Sequence, residues 1–234
     1  MDKPYRLHYA PDNASLIIRL ALEEMQQPYE TVLVDRAARA HHSPAYLALN
    51  PNGLVPVLET PQGAIFETGA ILLWLTEQHG QLAPAPGHAE RGDFLKWLFF
   101  VSNTLHPALR MLFYPDAYAG ADPVAQSALT THMRGETARH LQKLDDLAGQ
   151  GRSWFAADSP CVLDFYVACA LRWIALYPQK GVAQLAVSNW PRLEAMVARL
   201  ETCAAVRAGI DAEGLGPRPF TAPDYPNPPE GSPI

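Results

Sequence analysis

The stretch that decides the fold is residues 43–75, SPAYLALNPNGLVPVLETPQGAIFETGAILLWL. It begins as a short helix, because Ser43 is a good N-cap and Pro44 suits the first helical position. Two apolar runs, LVPVLET and AIF, flank the turn PQG and predict a pair of strands. The helix that follows, from about Thr68 to His79, is apolar nearly all round, so we expect it to be buried on more than one side.

The pattern continues on both sides of this stretch. Residues 5–9 and 29–35 predict two further strands, with a helix over residues 14–25 between them. The order β-α-β-α-β-β-α therefore defines a small α/β domain over residues 1–80. Residues 81–88 are a linker containing Pro and Gly. Residues 89–212 give only helical signals, so we expect an all-helical second domain.

The last segment, residues 213–234, has seven prolines in its final 21 residues. Proline excludes helix interior and central strand, so this tail is either disordered or an extended arm on the surface.

Composition excludes several classes of protein. The net charge is −6, and no run of Lys or Arg exists, which argues against nucleic-acid partners and anionic membrane surfaces. Three cysteines without a CxxC pair do not form a disulfide framework. No signal peptide or membrane span is visible, and no metal site is predicted, so we expect a soluble cytoplasmic protein.

Pro56 lies inside a strand-like run, between Val55 and Val57. Proline normally demotes a central strand because it removes a ladder donor. An edge strand or a loop would accommodate it. A cis Val55–Pro56 peptide would instead turn the Val55 N–H and C=O outward, where an extended ligand pairs with them like an added strand.

Glu67 and Thr68 stand at the start of the apolar helix. The free N–H groups and the positive dipole end of that helix, with the Thr68 hydroxyl, suit a ligand carboxylate. The Glu67 carboxylate suits an ammonium group, so the pair matches the head of an α-amino acid. A plain helix cap with Glu67 exposed is the simpler alternative.

Taken together, these motifs resemble the cytosolic glutathione transferase superfamily. NPNGLVPVL and ETGAILLWL match the thioredoxin-like N-terminal domain of that family in order and spacing. WLFFVSNTLHPALRMLF, VLDFYVACAL and NWPRLEAMVARLETCAAV resemble helices of its C-terminal domain. The resemblance covers about residues 4–210. It implies the glutathione transferase fold, an α/β thioredoxin-like domain followed by an all-α domain, in a homodimer.

The resemblance also implies where glutathione binds as co-substrate. Val55, beside a cis Pro56, would pair with the cysteinyl unit, and Glu67 with Thr68 would hold the γ-glutamyl head. Leu54 occupies a position where the family often has Lys or Gln, so one polar contact to the peptide is missing. His42 is a candidate to replace it at the glycyl carboxylate, although an exposed surface His is the simpler interpretation.

The bound thiol must be a thiolate to react. Lowering a thiol pKa by about two units takes about 2.7 kcal/mol. A helix start supplies at most about 2 kcal/mol, and one hydrogen bond to the charged sulfur adds about 1.5–3 kcal/mol. One donor near the sulfur would therefore suffice.

The resemblance places the candidate donors in YAPDNAS, residues 9–15. Tyr9 matches the tyrosine of tyrosine-type members, Asn13 the serine of serine-type members, and Ala14 the cysteine of bacterial cysteine-type members. Ala14 excludes a mixed disulfide at that position. We rank the donors Asn13, then Ser15, then Tyr9; a helix N-cap is the alternative role of Asn13.

The second substrate would lie against the helical domain. His106 matches a histidine that faces the thiol in cysteine-type members, and a partly buried structural His is its alternative. Asn103, Arg110 and Tyr114 are spaced at i, i+7 and i+11 along one predicted helix and are further candidates for the substrate cleft.

The sequence therefore predicts a glutathione-dependent transferase that stabilises the thiolate for attack on a small electrophile. A non-catalytic binder of glutathione or an apolar ligand with the same fold stays open, because the usual Cys and Ser are missing. A glutathione-dependent reductase or peroxidase is a third possibility, weakened by Ala14.

Overall fold

The computed structural model describes residues 4–178 and 184–233. Two compact units emerge from its contacts. The first contains residues up to 88 together with 201–219 and the tail from 224, and the second contains residues 89–200 and 220–223.

The first unit follows the predicted order of strands and helices. The strands are β1 (Tyr5–Tyr9), β2 (Tyr29–Leu33), β3 (Val57–Thr60) and β4 (Gly63–Phe66). The helices are α1 (Ser15–Glu24), α2 (Pro44–Leu47) and α3 (Thr68–His79), with a 3-10 turn at Ala40–His42. The sheet order is β2-β1-β3-β4, with β1 parallel to β2 and the other neighbours antiparallel. Such a mixed sheet with helices is the predicted thioredoxin-like arrangement.

Burial in this unit follows the sequence pattern. Leu16, Ile17 and Leu20 of α1 are fully buried, as are Ile71 and Leu72 of α3. Ser43 caps α2 as predicted, since its hydroxyl accepts the Tyr46 N–H, and a proline occupies the first turn.

The second unit is helical. Its helices are α4 (Arg91–Phe100), α5 (His106–Phe113), α6 (Asp116–Ala119), α7 (Pro123–Ala148), α8 (Val162–Leu176) and α9 (Pro191–Leu200). The centre is α8, in which all residues but Ala175 are buried. A capping box begins this helix: Asp164 accepts the Cys161 N–H at 2.8 Å, and the Cys161 sulfur accepts the Leu163 N–H at 3.3 Å.

The predicted helix that carries Asn103, Arg110 and Tyr114 is interrupted in the structure by one turn. Val101–Leu105 is a π-helical turn between α4 and α5, and the His106 N–H donates to the Val101 carbonyl. The physical reason is Pro107, which has no N–H to give to the Asn103 carbonyl one α-turn earlier.

The last helix also differs from the predicted domain division. Helix α10 (Ala204–Glu213) clusters with the first unit, although it lies within the range 89–212 predicted for the helical domain. Gly209 of α10 lies against Leu16 and Leu20 of α1, where a Cβ would come within 3.1 Å of Leu20. The small residue allows this close approach, which sequence periodicity does not show.

Within the described ranges, no helix combines the length and hydropathy needed to cross a bilayer. The same ranges contain no group of three or more His, Cys, Asp or Glu residues arranged to hold a metal ion.

Candidate functional site

Strand register brings three separate motifs to one end of the sheet, where β1 and β4 finish and β3 begins. His8 of β1 pairs with Val57 of β3, and Val57 pairs with Phe66 of β4. One residue further on, Tyr9 ends β1 and Pro56 precedes β3. We call this end of the sheet, formed by Tyr9, Val55–Pro56 and Glu67–Thr68, the Val55 edge.

The backbone at Val55 is available for pairing. The Val55–Pro56 peptide is cis, as one of the two sequence interpretations proposed. Among the described residues, neither the N–H nor the C=O of Val55 has a hydrogen-bond partner. An extended ligand can therefore add to the sheet at this residue.

The loop before Val55, residues 50–54, is fixed by hydrogen bonds from buried side chains. The Leu54 carbonyl accepts hydrogen bonds from Tyr46 Oη and Asn50 Nδ2, both at 2.8 Å. Asn50 also accepts the Asn52 N–H at 3.0 Å. Gly53 has φ 61°, and a Cβ there would lie 3.0 Å from the His41 carbonyl, so the motif NPNG needs its glycine.

His42 and Leu54 occupy the rim of this loop. Both side chains are exposed, and His42 Nδ1 lies 3.1 Å from the position of a Cβ on Gly53. The His42 ring also contacts the His41 ring, with 4.1 Å between ring centroids and an angle of 45° between the ring planes. Burial, followed by the charge of His42, lowers the pKa of His41. The structure thus places His42 beside the loop that presents Val55.

Glu67 holds a backbone conformation that is rare for its residue type. Its φ is 72° and its ψ 116°, and it is the N-cap of α3 without a side-chain cap bond. A left-handed φ at a non-glycine residue costs about 1–3 kcal/mol and is concentrated at functional sites. Its carboxylate is exposed beside Thr68, which is 6% exposed and opens the helix. The Glu67 carboxylate thus lies at the N-terminus of α3, beside Thr68.

Residues 9–15 place the three candidate donors in different surroundings. Ser15 is fully buried; its hydroxyl donates to the Ala10 carbonyl at 3.1 Å and accepts the Ala10 N–H at 3.3 Å. Asn13 Nδ2 donates to the carbonyls of Pro11 and Pro233, at 2.8 and 3.1 Å. Asn13 is not the N-cap, since Ala14 holds that position without a side-chain bond.

Tyr9 is the third candidate, and it is 3% exposed. Its hydroxyl donates to the Glu230 carboxylate in the proline-rich tail. Burial, followed by this carboxylate, raises the pKa of Tyr9. In this arrangement the donor hydrogens of all three candidates are already engaged.

A buried ion pair supports the loop between β1 and α1. Arg19 Nε lies 2.8 Å from a Glu213 carboxylate oxygen, with side chains 6% and 0% exposed. The other Glu213 oxygen accepts the Asp12 N–H at 2.8 Å. Asp12 has φ 52° and is itself buried, so Glu213 fixes the strained residue next to Asn13.

The helical unit places His106 inside its own packing. His106 Nδ1 lies 2.8 Å from Tyr166 Oη, and its ring is 5.6 Å from that of Trp173. Burial, followed by the charge of Arg110, lowers the pKa of His106 to about 4. The ring is therefore neutral at physiological pH, with one nitrogen bonded within the unit.

Two of the remaining candidates in the helical unit, Arg110 and Tyr114, are in contact with each other. Arg110 lies over the Tyr114 ring at 5.9 Å and donates to Tyr118 Oη at 3.2 Å. Asn103 is exposed and accepts a hydrogen bond from Ser102. Asn103 lies in the π turn, so regular α-helical spacing does not relate it to Arg110 and Tyr114.

Sequence reasoning missed several residues around the Val55 edge. Arg36 donates to Asn13 Oδ1 at 2.8 Å, and Glu213 and Glu230 reach the same loop from the end of the chain. These contacts carry no short-range signal, because Tyr9 and Glu230 are 221 residues apart. The clamping role of Asn50 could have been inferred from the turn motif NPNG.

Comparison with known proteins bears directly on this arrangement. The sequence profile "Glutathione S-transferase, N-terminal domain" matches residues 14–78, the range that contains Val55, Pro56, Glu67 and Thr68. Glutathione S-transferase GST-4.5 of Xanthomonas campestris pv. campestris is 32% identical over 217 residues, covering 90% of this chain and 99% of that protein. The chain belongs to the glutathione S-transferase family.

Two further relatives of this chain agree with the assignment. A sphingomonad glutathione S-transferase, solved in complex with glutathione, superposes with a TM-score of 0.73 at 31% identity, covering 90% of this chain and all of that one. The disulfide-bond oxidoreductase YfcG of Escherichia coli K12 is 34% identical over 194 residues, covering 79% of this chain and 86% of that protein. The predicted fold and superfamily are thereby confirmed.

Proposed function

We propose that the protein binds glutathione along the Val55 edge and stabilises its thiolate for attack on a small electrophile. The observation that carries the proposal is the placement of three features on one edge. They are Glu67 and Thr68 at the N-terminus of α3, the Val55 backbone, which has no hydrogen-bond partner among the described residues, and the end of β1.

Dimensions support one extended ligand across these features. Strands β4 and β1 are separated by β3, so they lie two strand spacings, about 10 Å, apart. An extended tripeptide spans about the same distance. A γ-glutamyl head at Glu67 and Thr68 and a cysteinyl unit at Val55 therefore direct the sulfur towards the end of β1.

The chemistry at the sulfur requires a donor from the β1–α1 loop. Asn13 and Tyr9 are the donors we assign to the thiolate, because each carries a polar hydrogen now given to the tail or to a nearby carbonyl. Ser15, the second donor in the ranking from sequence, is instead assigned to holding the loop. Its hydroxyl both donates to and accepts from the Ala10 backbone.

We also assign neighbours of the glutathione and of the electrophile by residue. His42 and Leu54 border the peptide at the glycyl end. His106, Asn103, Arg110 and Tyr114 are the residues of the helical unit proposed to contact the electrophile. A cytoplasmic homodimer completes the proposal, and light scattering after gel filtration measures the assembly.

Calorimetric titration with glutathione tests binding at the Val55 edge. Thr68→Val removes the hydroxyl while keeping the side-chain shape, and we expect an at least tenfold weaker affinity, since a hydrogen bond to a charged group is worth about 1.5–3 kcal/mol. Thr31→Val on exposed β2 is the matched control and should bind like the wild type. Equal affinity in both variants would show that the γ-glutamyl head binds elsewhere.

A glutathione-dependent disulfide reductase is the second candidate function. It is favoured by the 34% identity to the disulfide-bond oxidoreductase YfcG. Ala14 leaves no thiol at the start of α1, so two glutathione molecules would supply both sulfurs of the oxidised product. Steady-state rates with a small disulfide and with an aryl halide, measured on the same preparation, distinguish the two activities.

A further inference from the structure

The proline-rich tail packs against other residues of the first unit. We call residues 224–233 the C-terminal strap. Asn227 N–H donates to the Gly214 carbonyl at 2.8 Å. A Cβ on Gly214 would lie 2.0 Å from the Asn227 carbonyl oxygen, so the strap passes in direct contact with the end of α10.

Beyond this anchor the strap reaches the loop between β1 and α1. The Tyr9 hydroxyl donates to the Glu230 carboxylate. The Pro233 carbonyl accepts from Asn13 Nδ2 at 3.1 Å and from Arg36 at 2.9 Å. The strap therefore occupies polar groups of both proposed thiolate donors.

Packing accompanies these hydrogen bonds. Gly231 has φ 75°, and a Cβ there would lie 2.6 Å from Leu33 Cδ1 and 3.4 Å from Pro11. Leu33 ends β2 and pairs with Tyr9, so the strap crosses the sheet at the same end as the Val55 edge. Glycine is required at this crossing by both its φ and the close approach.

We propose that the C-terminal strap is an autoinhibitory segment that must leave the β1–α1 loop before glutathione is bound with its thiolate stabilised. The inference rests on the proposed function, because it takes the sulfur to lie at the end of β1. Docked, the strap withholds the Tyr9 and Asn13 donors and sets a carboxylate beside them. A carboxylate near the sulfur opposes the thiolate through like charge.

A docked strap lowers the apparent affinity in proportion to its population. When only a fraction of molecules has a free site, the apparent dissociation constant rises by the reciprocal of that fraction. Glutathione and the docked strap are then competitors. Changes confined to the strap should strengthen glutathione binding without altering the site itself.

Two full-length variants displace the strap by different means. Gly231→Val places a branched side chain against Leu33, and Glu230→Gln removes the charge that accepts from Tyr9. Asp211→Asn on the exposed side of α10 removes the same charge elsewhere and is the matched control. Melting temperatures verify that each variant is folded.

Two measurements are made on each protein, calorimetric titration with glutathione and hydrogen exchange of the peptide covering the strap. We expect both strap variants to bind glutathione at least about fivefold more tightly than wild type and Asp211→Asn. We also expect faster exchange at Asn227 in the variants, and in the wild type when glutathione is added.

The outcomes separate this inference from the proposed function. Equal affinity in all four proteins overturns autoinhibition and leaves glutathione binding intact. Weaker binding in the strap variants also overturns it, because the strap would then complete the site. Absence of binding in every protein overturns the proposed function and, with it, the role given to the strap.

Discussion

At the scale of single residues, two polar side chains of residues 9–15 have different surroundings. Ser15 is enclosed and ties the Ala10 backbone to the start of α1. The Asn13 side chain is bonded to the Pro11 carbonyl, to the Pro233 carbonyl of the C-terminal strap and to Arg36. The first is suited to stability, and the second to contact with a ligand.

Alanine variants separate these two roles. Ser15→Ala leaves the buried Ala10 N–H without its partner, while the Ala10 carbonyl keeps the Asn13 N–H at 3.3 Å, so we expect a loss of about 1–3 kcal/mol in the free energy of unfolding. Asn13→Ala should change stability by less and lower the rate with an aryl halide by about tenfold or more. Denaturant unfolding and initial rates measure the two quantities. An unchanged rate in Asn13→Ala would remove Asn13 from the list of donors.

At the scale of elements, the start of α8 depends on a buried carboxyl. Burial raises the pKa of Asp164 from 3.8 to about 7, although the Ala156 and Cys161 N–H groups favour its charged form. A carboxyl whose pKa is higher in the folded than in the unfolded chain binds its proton more tightly when folded. Its contribution to stability is complete below about pH 4 and is lost as the pH rises through about 7.

Asp164→Asn tests this sign. The side chain of the variant cannot titrate. The free energy of unfolding of the wild type minus that of the variant should therefore be highest near pH 4 and should fall towards pH 7. Denaturant unfolding at several pH values measures that difference. A difference that grows with pH would show that Asp164 is charged in the folded protein.

The contact between α1 and α10 depends on the Arg19–Glu213 pair. Arg19→Met leaves the fully buried Glu213 carboxylate without its cation, and we expect a loss of about 3–5 kcal/mol. The double variant Arg19→Met with Glu213→Gln removes both charges and should recover part of that loss. A double-mutant cycle of unfolding free energies gives the coupling. Strictly additive losses would contradict a direct ion pair.

At the scale of the whole molecule, the sequence predicted what local patterns encode. Ser43 caps α2 as expected, and the Val55–Pro56 peptide is cis as one of the two interpretations held, although β3 begins at Val57 and so leaves Pro56 outside the strand. Glu67 is the N-cap of α3, directly before the predicted apolar helix. The return of α10 to α1 depends on Gly209 and on a buried ion pair between distant segments. The tail is similar, because prolines exclude helix but do not specify where an extended segment docks.

Domain membership follows from the same long-range contacts. Helix α10 and the C-terminal strap belong to the unit that contains the sheet, so both ends of the chain build the surroundings of Tyr9 and Asn13. Periodicity alone assigns a helix to no particular neighbour. Contacts such as Asp12 N–H to Glu213 supply that information only in the folded chain.

The proposed function requires that the protein lowers the pKa of the thiol of bound glutathione. Thiolate absorbance in the ultraviolet, followed as a function of pH with glutathione saturated by protein, measures it directly. We predict that the bound thiol titrates about two pH units below its free value of about 8.5. A bound thiol that titrates at its free value would contradict the account and identify the protein as a non-catalytic glutathione binder.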